Sequence, residues 1–514
     1  MTRPNIILIT ADQWRGDCLG SMGHPTVKTP NLDALAADAV AFRNHYCTTA
    51  PCSPSRASLY TGLYQMNHRV VQNGAPLADR FDNIAKAGRR AGYRPTLFGY
   101  TDTALDPAGR DPSDPALTTY EGILPGMEAG QLLLEDYKPW VSWLKERGHS
   151  IEDRTQLHIP EMEAGERVSL KAPFFSKDET QAAFLINKME NWLDEREGED
   201  NPFFAHLSFI APHPPFIVPE PYNGMYDPKA NGPAYQRHNS AEEEMAADPF
   251  SEMLMKTIGV NGFLTYDAEG NYGSNDLVKD LSADDIDRIR AIYFGMMSEV
   301  DDCIGQLINS LKRRGLWENT LFIFTADHAE MMGDHWMMGK GGFHKSSYHI
   351  PLIIRAPGGG RGETVEAFTS SADVLPTVLE ILGLEATNAL DGTSLMEHVD
   401  GNPVSGWRDA AFYEFDFRGL RERYPELKAR MRQEECSLAV LRDEKFHYVH
   451  IPGFPALLYD LEKDPDCLAN VAEEEAYLRT RLDYAEKLLA VRARHLDETL
   501  ARYLFTPEGM IATD

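Results

Sequence analysis

Short apolar runs are spaced along the chain, and we predict that they form the interior strands of a sheet. They lie at Asn5–Thr10, Thr96–Gly99, Phe203–Ile210, Leu321–Thr325 and Pro351–Ile354. Between them, amphipathic patterns predict helices at Asn31–Val40, Ile286–Arg314 and Ala372–Leu382. Strands that alternate with helices are typical of an α/β fold in which helices cover both faces of a mostly parallel sheet.

Polar residues follow several of these strands at the predicted carboxyl end. The sets are Asp12-Gln13, Tyr100-Thr101-Asp102, His213 and Asp327-His328. In open α/β sheets, ligands bind at that edge. The sequence therefore predicts an active site along the carboxyl edge of the sheet.

The pattern changes after about residue 400. Three runs there alternate like antiparallel strands, at Ser437–Leu441, Lys445–Ile451 and Ala456–Leu461, and Asp443-Glu444 suits a hairpin turn. A helical pattern over about Glu473–Tyr503 follows. We expect a catalytic α/β domain at 1–400 and a smaller α+β subdomain with an antiparallel sheet at 401–514.

Two stretches without sustained periodicity, at about 106–180 and 220–280, are rich in Pro, Gly and acidic residues. They would form a lid or an oligomer contact. We expect a homodimer or homotetramer, in which the last residues, to Asp514, reach a neighbouring subunit.

Charge and cysteine usage limit the possible partners and the compartment. The net charge of −29 argues against nucleic-acid binding and against attachment to anionic membranes. The chain enters its first apolar run at Asn5 without a targeting segment, and its six cysteines lack C-x-x-C spacing. We therefore expect a cytoplasmic protein with reduced thiols and a small anionic substrate held in a locally positive pocket.

The most informative run extends from Cys52 to Gly62 and reads Cys-Ser-Pro-Ser-Arg-Ala-Ser-Leu-Tyr-Thr-Gly. It resembles the sulfatase signature, C-x-P-S-R followed by L-x-T-G. In that family, which has an alkaline-phosphatase-like fold, the cysteine is oxidised to Cα-formylglycine, whose hydrate attacks a sulfate or phosphate-type ester. The resemblance implies this modification of Cys52 by a formylglycine-generating maturation enzyme, and a role for Arg56 in holding the hydrate.

The pairs Asp12-Gln13 and Asp327-His328 offer two carboxylates, an amide oxygen and an imidazole. Each pair alone is commonly a cap or a turn. Sulfatases place metal ligands after these two strands, so the resemblance implies one divalent cation held by these residues together with the modified Cys52. The donor set favours Mn²⁺, with Ca²⁺ as the other candidate.

A second run, from Thr325 to His335 with Gly339-Lys340 after it, resembles S-D-H-G-E-x-x-G-D-H-x-x-x-x-K of the same family, although Ala329 stands where glycine is usual. The resemblance implies that Lys340 meets the anionic or leaving oxygens of the ester. It also implies that His213 acts as acid or oxygen-binding donor for the leaving group.

Departures from the usual sulfatase pattern indicate which substrates the site prefers. Asn73 matches a substrate-facing asparagine in the phosphonate hydrolase branch. Where typical sulfatases have G-K-W-H-L-G, this chain has Phe98-Gly99-Tyr100-Thr101-Asp102, so a pocket lysine and a histidine are missing. We expect Tyr100 and Thr101 to bind substrate there. The loss of positive charge favours monoanionic esters. We expect hydrolysis of sulfate monoesters, with promiscuity toward phosphonate monoesters and phosphodiesters.

Three alternatives stay open from the sequence. In the first, the main activity is that of a phosphonate monoester hydrolase or phosphodiesterase, and sulfate monoesters are secondary substrates. A metal-dependent phosphatase or phosphomutase would use a Ser or Thr nucleophile and two metals. A non-catalytic protein would bind an anionic ligand in the same pocket.

Overall fold

The computed structural model describes residues 3–152, 154–158, 163, 166–199, 201–230, 232–258, 281–402, 404–423, 425–497, 503–507 and 509–512. The later part of the second predicted insertion, 259–280, and Asp514 lie outside the described residues. Within the described ranges, no helix combines the length and the apolar character needed to cross a bilayer.

A large sheet forms the centre of the protein and confirms the predicted α/β class. Its strands are β1 (Asn5–Ala11), β2 (Val40–Tyr46), β4 (Thr96–Gly99), β5 (Glu128–Leu132), β6 (Phe204–Phe209), β7 (Thr320–Thr325), β8 (Leu352–Arg355) and β9 (Glu363–Ser370), and the order across the sheet is β5-β4-β6-β1-β7-β8-β2-β9. Among these strands, β8 alone runs opposite to its neighbours β7 and β2. The sheet is therefore mostly parallel, as predicted.

Helices cover this sheet because its central strands are apolar on both faces. Every residue of β1, β6 and β7 is buried, as expected for strands between two helical layers. The helices are α1 (Pro30–Ala37), α2 (Cys52–Thr61), α3 (Gln65–His68), α4 (Ile84–Arg90), α5 (Lys138–Glu146), α6 (Gln181–Glu195), α7 (Ala241–Ala247), α8 (Pro249–Ile258), α9 (Ala283–Arg313), α10 (Lys345–Tyr348), α11 (Val374–Leu382), α12 (Met396–Asp400), α13 (Arg418–Arg423), α14 (Pro425–Arg430) and α15 (Leu478–Arg494).

A smaller sheet contains the predicted antiparallel strands. It has the order β13-β12-β11-β10-β3, from β3 (Thr49–Ala50), β10 (Ala411–Asp416), β11 (Ser437–Arg442), β12 (Phe446–His450) and β13 (Leu457–Asp460). The β11–β12 hairpin at Asp443 is confirmed. The division of the chain at residue 400 stays a prediction. However, β3 pairs in parallel with β10, so the smaller sheet includes residues from the N-terminal part of the chain.

Two predicted helices have wrong boundaries. The first helix ends at Ala37, because Val40 begins β2, whose Arg43 and Asn44 interrupt the apolar run that would have identified a strand. The last helix ends at Arg494, and Tyr503 lies in a separate hairpin of β14 (Tyr503–Thr506) and β15 (Gly509–Ala512).

Candidate active site

Cys52 is the first residue of α2 and comes two residues after β3. Strand β3 pairs with Glu414 and Phe415 of β10, and this pairing fixes the position at which α2 begins. The helix is buried along its whole length. The positive end of the α2 helix dipole favours negative charge beside Cys52.

The two predicted metal pairs meet at Cys52. β1 and β7 are neighbours in the sheet, so Asp12 after β1 and Asp327 after β7 lie side by side. One donor atom from each of Asp12, Cys52, Asp327 and His328 lies within 4.8 Å of the others. The Cys52 Sγ and His328 Nε2 atoms are 3.2 Å apart. The fold thus joins residues that are more than 270 positions apart in sequence.

This cluster fits a divalent cation. Asp12 Oδ1 is buried without a hydrogen-bond partner among the described residues, which leaves one hard oxygen donor directed into the cluster. Burial lowers the pKa of His328, so its imidazole is neutral and able to coordinate. Sulfatases generally use a metal ion and a formylglycine, and Asp12, Asp327 and His328 are the residues that would hold the ion here.

Arg56 lies under the cluster and is completely buried. Its guanidinium donates to Asp327 Oδ2 at 3.0 Å, to Asp12 Oδ2 at 3.2 Å and to the Tyr100 hydroxyl at 2.8 Å. Burial opposes ionisation of Asp12, but the positive charges of Arg56 and Lys340 help to bring its pKa below the ordinary range. Arg56 thus favours the charged form of Asp12 and donates hydrogen bonds to both carboxylates.

Gln13 connects the cation cluster to Lys340. Its backbone is left-handed, with φ 69°, and its N–H donates to Asp327 Oδ1 at 3.1 Å. Its side-chain Oε1 accepts a hydrogen bond from Lys340 Nζ at 2.8 Å, and its Nε2 donates to Glu330. Gln13 therefore fixes the position of Lys340 and lies beside the ligands implied for the cation.

His213 contacts Lys340 and faces the same cluster. Its Nδ1 lies 2.7 Å from the carbonyl oxygen of Pro214, which can only accept, so Nδ1 carries the hydrogen. Its Nε2 then accepts from Lys340 Nζ at 2.9 Å. Burial, reinforced by Lys340, lowers the pKa of His213 to about 3. The histidine is therefore neutral.

The residues predicted to bind substrate occupy different positions. Asn73 is exposed and accepts a hydrogen bond from the Ser53 backbone N–H at 3.0 Å, directly beside Cys52. Tyr100 is buried against Arg56 and donates to Asp12. The Thr101 hydroxyl is occupied by Gly122 and Leu124, so it supports the loop after β4. The substrate-binding roles of these residues stay predictions.

Glu330 was not identified from the sequence as a site residue, although the Asp-His-x-Glu motif contains it. It is fully buried and accepts hydrogen bonds from Gln13 Nε2 and from the backbone N–H groups of Met332 and Gly339. Burial raises its pKa to about 7. It orients Gln13 and the turn that carries Lys340.

Comparison with known proteins places this site in a family. The chain matches the sulfatase family over residues 4–384 and the C-terminal region of N-sulphoglucosamine sulphohydrolase over residues 333–494. The chain therefore belongs to the sulfatase family. The predicted alkaline-phosphatase-like hydrolase of the sulfatase family is confirmed.

Three similar proteins indicate which members of the sulfatase family this chain resembles. The crystal structure of a phosphonate monoester hydrolase of Agrobacterium radiobacter superimposes with a TM-score of 0.93 at 54% identity, covering 100% of both chains. The multifunctional alkaline phosphatase superfamily protein PehA of Trinickia caryophylli is 38% identical, with 99% of each chain covered. An arylsulfatase of Clostridium perfringens is 28% identical over 95% of this chain and 94% of its own.

Proposed function

We propose that this enzyme hydrolyses phosphonate monoesters and phosphodiesters as its main activity, with sulfate monoesters as a secondary activity. The position of Tyr100 carries the proposal. Where typical sulfatases are expected to place a basic residue, this chain has a phenol that donates to Asp12 and accepts from Arg56. Burial raises the pKa of Tyr100 well above its ordinary range, so the side chain is neutral.

The charge balance around Cys52 supports a monoanionic substrate. Arg56 and Lys340 are the basic side chains whose contacts place them at the cluster, and the carboxylates of Asp12 and Asp327 offset them. One divalent cation would supply the remaining positive charge. Phosphonate monoesters, phosphodiesters and sulfate monoesters carry one negative charge, whereas a phosphate monoester carries two.

The second serine of the signature, Ser55, does not favour sulfate over phosphonate. The sequence alone favoured sulfate, because Ser53 and Ser55 retain the sulfatase pattern. The Ser55 hydroxyl donates to the carbonyl oxygen of Asp327 and thereby ties α2 to the end of β7. This residue has a structural explanation, and the similarity to the Agrobacterium radiobacter hydrolase then favours phosphonates.

The side chains suggest how the reaction is assisted. Lys340 is held between Gln13 Oε1 and His213 Nε2, where its ammonium would stabilise charge on the leaving oxygen. Because neutral His213 accepts from Lys340, we assign it to positioning and place the donor on Lys340. The positive end of the α2 helix dipole would favour the anionic oxygens of the ester.

Two further groups complete the proposal. Formylglycine made from Cys52 by a maturation enzyme would supply a hydrated aldehyde as the nucleophile. A cation at Asp12, Asp327 and His328, with Gln13 beside it, would supply Lewis acidity that lowers the pKa of the nucleophile. The donor set favours Mn²⁺ over Ca²⁺, since an imidazole accompanies the oxygens.

The proposal is tested by kcat/KM on an aryl phosphonate monoester, an aryl phosphodiester and an aryl sulfate with the same leaving group. We expect the phosphonate or the diester to lead by more than tenfold, which is about 1.4 kcal/mol of transition-state stabilisation. A tenfold lead for the sulfate would overturn the assignment and make the enzyme an arylsulfatase. A matched aryl phosphate monoester serves as the dianionic control and is expected to be the poorest phosphorus substrate.

A further inference from the structure

A second cluster of metal-binding side chains lies outside the active site. Glu244 of α7 and His335 and His344 of the loop after β7 are each at most 5% exposed. One donor atom from each lies within 4.8 Å of the others. The His335 Nδ1 and Glu244 Oε1 atoms are 2.9 Å apart. We call these three residues the Glu244 cluster.

His344 supplies independent evidence of a ligand. Its Nδ1 atom is buried and has no hydrogen-bond partner among the described residues. A buried imidazole nitrogen without a partner loses its hydration and gains nothing in return. The His344 ring stacks on the ring of His335, with centroids 3.5 Å apart, and one of its ring nitrogens lies within 4.8 Å of the other two donors. Burial also lowers the pKa of His344 well below its usual range, which keeps the ring in the form that can coordinate.

We propose that the Glu244 cluster binds one Zn²⁺ ion as a structural site, separate from the cation of the active site. Two imidazoles and a carboxylate are a known zinc donor set, and a water molecule would complete four-coordination. Zinc bonds of about 2.0–2.2 Å place tetrahedral donors about 3.3–3.6 Å apart. An imidazole binds a metal in the plane of its ring, and the two rings are stacked at an angle of 16°, so one of them would turn out of the stack when the ion binds.

Zn²⁺ is favoured over the cations proposed for the active site because of the donors. Ca²⁺ and Mg²⁺ prefer oxygen ligands, whereas imidazole nitrogen suits Zn²⁺. The Glu244 cluster offers two imidazoles and one carboxylate, whereas the active-site cluster offers two carboxylates, one imidazole and Cys52. The two sites therefore differ in the metal that they select.

The position of the Glu244 cluster gives the ion a structural role. Glu244 belongs to an insertion, whereas His335 and His344 enclose the turn that carries Lys340. The contacts already present include the Glu244–His335 pair and a hydrogen bond from the His335 N–H to the Gln236 carbonyl oxygen at 2.8 Å. The Gln236 N–H also donates to Asp334 Oδ1 at 3.0 Å. A bound ion would add a further link between the insertion and the Lys340 turn. This consequence rests on the proposed function, whereas the metal site itself does not.

The test measures the metal content of the protein rather than its catalytic activity. Full-length protein from zinc-supplemented growth, desalted to remove loose metal, is assayed by elemental analysis and crystallised for anomalous diffraction on both sides of the zinc edge. We expect an anomalous peak among the three side chains and about one zinc ion per chain at this site. His344→Phe, which keeps a stacking ring but no nitrogen, is expected to lose that zinc.

Matched variants distinguish zinc at the Glu244 cluster from metal at the active site and control for misfolding. Asp327→Asn serves as the comparison, and it is expected to keep the zinc of the Glu244 cluster. Glu244→Gln is a second variant at the cluster, for use if His344→Phe does not fold. Unchanged zinc content in both cluster variants, or no anomalous peak among the three side chains of the wild-type crystal, would overturn the proposal. The Glu244 cluster would then be only a hydrogen-bonded Glu244–His335 pair with the His344 ring stacked on it.

Discussion

Lys340 Nζ donates a hydrogen bond to His213 Nε2 at 2.9 Å, and the same ammonium contacts Gln13 Oε1 at 2.8 Å. His213 follows β6, Gln13 follows β1 and Lys340 follows β7, so three neighbouring strands of the sheet place these groups. The contact also decides the protonation of His213, whose Nδ1–H is directed to Pro214. Lys340 is therefore the hydrogen-bond donor that the pair presents.

We expect Lys340→Met to reduce kcat/KM by about 10²–10³, because removal of one preorganised donor to a developing oxyanion has that effect. The loss should grow as the leaving group becomes more basic, since a weakly basic phenolate needs less stabilisation. Steady-state kinetics over a series of aryl esters provide the measurement. Lys428→Met, at an exposed ion pair with Glu422, is the control and should retain full activity.

Arg56 is expected to be required for folding as well as for the site. Arg56→Met leaves Asp12 and Asp327 without their buried counter-charge, and breaking a buried pair in this way costs about 3–5 kcal/mol. Urea unfolding of the variant beside the wild type measures the difference in free energy of unfolding. Arg432→Met, at a side chain that is 76% exposed, is the matched control and should leave the unfolding midpoint unchanged. Equal stability of Arg56→Met and the wild type would contradict this account of Arg56.

Cys52→Ser should still allow attack on the ester but should prevent multiple turnover. A serine hydroxyl can attack the ester, but it has no second hydroxyl from which the product could be expelled. We therefore expect stoichiometric labelling of Ser at this position and loss of multiple turnover, detected by intact-protein mass spectrometry after mixing with an aryl ester. Cys52→Ala should show neither labelling nor turnover. Sustained turnover by the serine variant would refute the formylglycine requirement.

Glu299 should make stability depend on pH. It is buried in α9, where it accepts hydrogen bonds from Thr180 and Cys303. Burial raises its pKa from 4.5 to about 7. Between these values the folded state binds more protons than the unfolded state, so the contribution to stability is present below pH 4.5 and is lost as pH rises through 7.

Glu299→Gln keeps the side-chain shape and a hydrogen-bond acceptor but removes the titration. Between pH 4.5 and 8, the wild type should lose about 3 kcal/mol of unfolding free energy relative to this variant, from the shift of its pKa at 1.36 kcal/mol per unit. Urea unfolding of both proteins at several pH values measures the difference. Parallel pH profiles would show that Glu299 does not titrate in this range.

The C-terminal hairpin, β14–β15, is the basis of our proposal that the enzyme is a homo-oligomer. Leu504, Met510 and Ile511 are 56%, 73% and 49% exposed. A lone two-stranded hairpin is marginal in water, so these side chains should pack against a second copy. Light scattering after gel filtration should give a multiple of 57.7 kDa. Met510→Asp should lower that mass, whereas Arg432→Met, at an exposed side chain outside the hairpin, is the control and should leave the mass unchanged. A monomeric wild type would refute the proposal.

Local sequence determined much of the architecture. The strands β1, β4, β6, β7 and β8 were predicted within about a residue, because short buried strands are continuous apolar runs. Strands β2, β5 and β9 of this sheet were missed because polar residues or glycine interrupt their apolar runs. The interruptions are Arg43 and Asn44 in β2, Gly130 and Gln131 in β5, and Glu363 and Glu366 in β9. The Cys52 run and the Asp327 run identified the family through their residue types and spacing alone.

The tertiary structure decided what the site residues do. No spacing could have joined Glu330 to Gln13 or shown that Thr101 supports a loop, because these contacts arise between distant segments after the chain has folded. The same holds for Glu244, which lies 91 residues from His335 in sequence and contacts it in the fold. Sequence determines the strands and the reactive groups, since both depend on local residue types. The packing of the sheet decides the partner of each group, because contacts between distant segments depend on the whole chain.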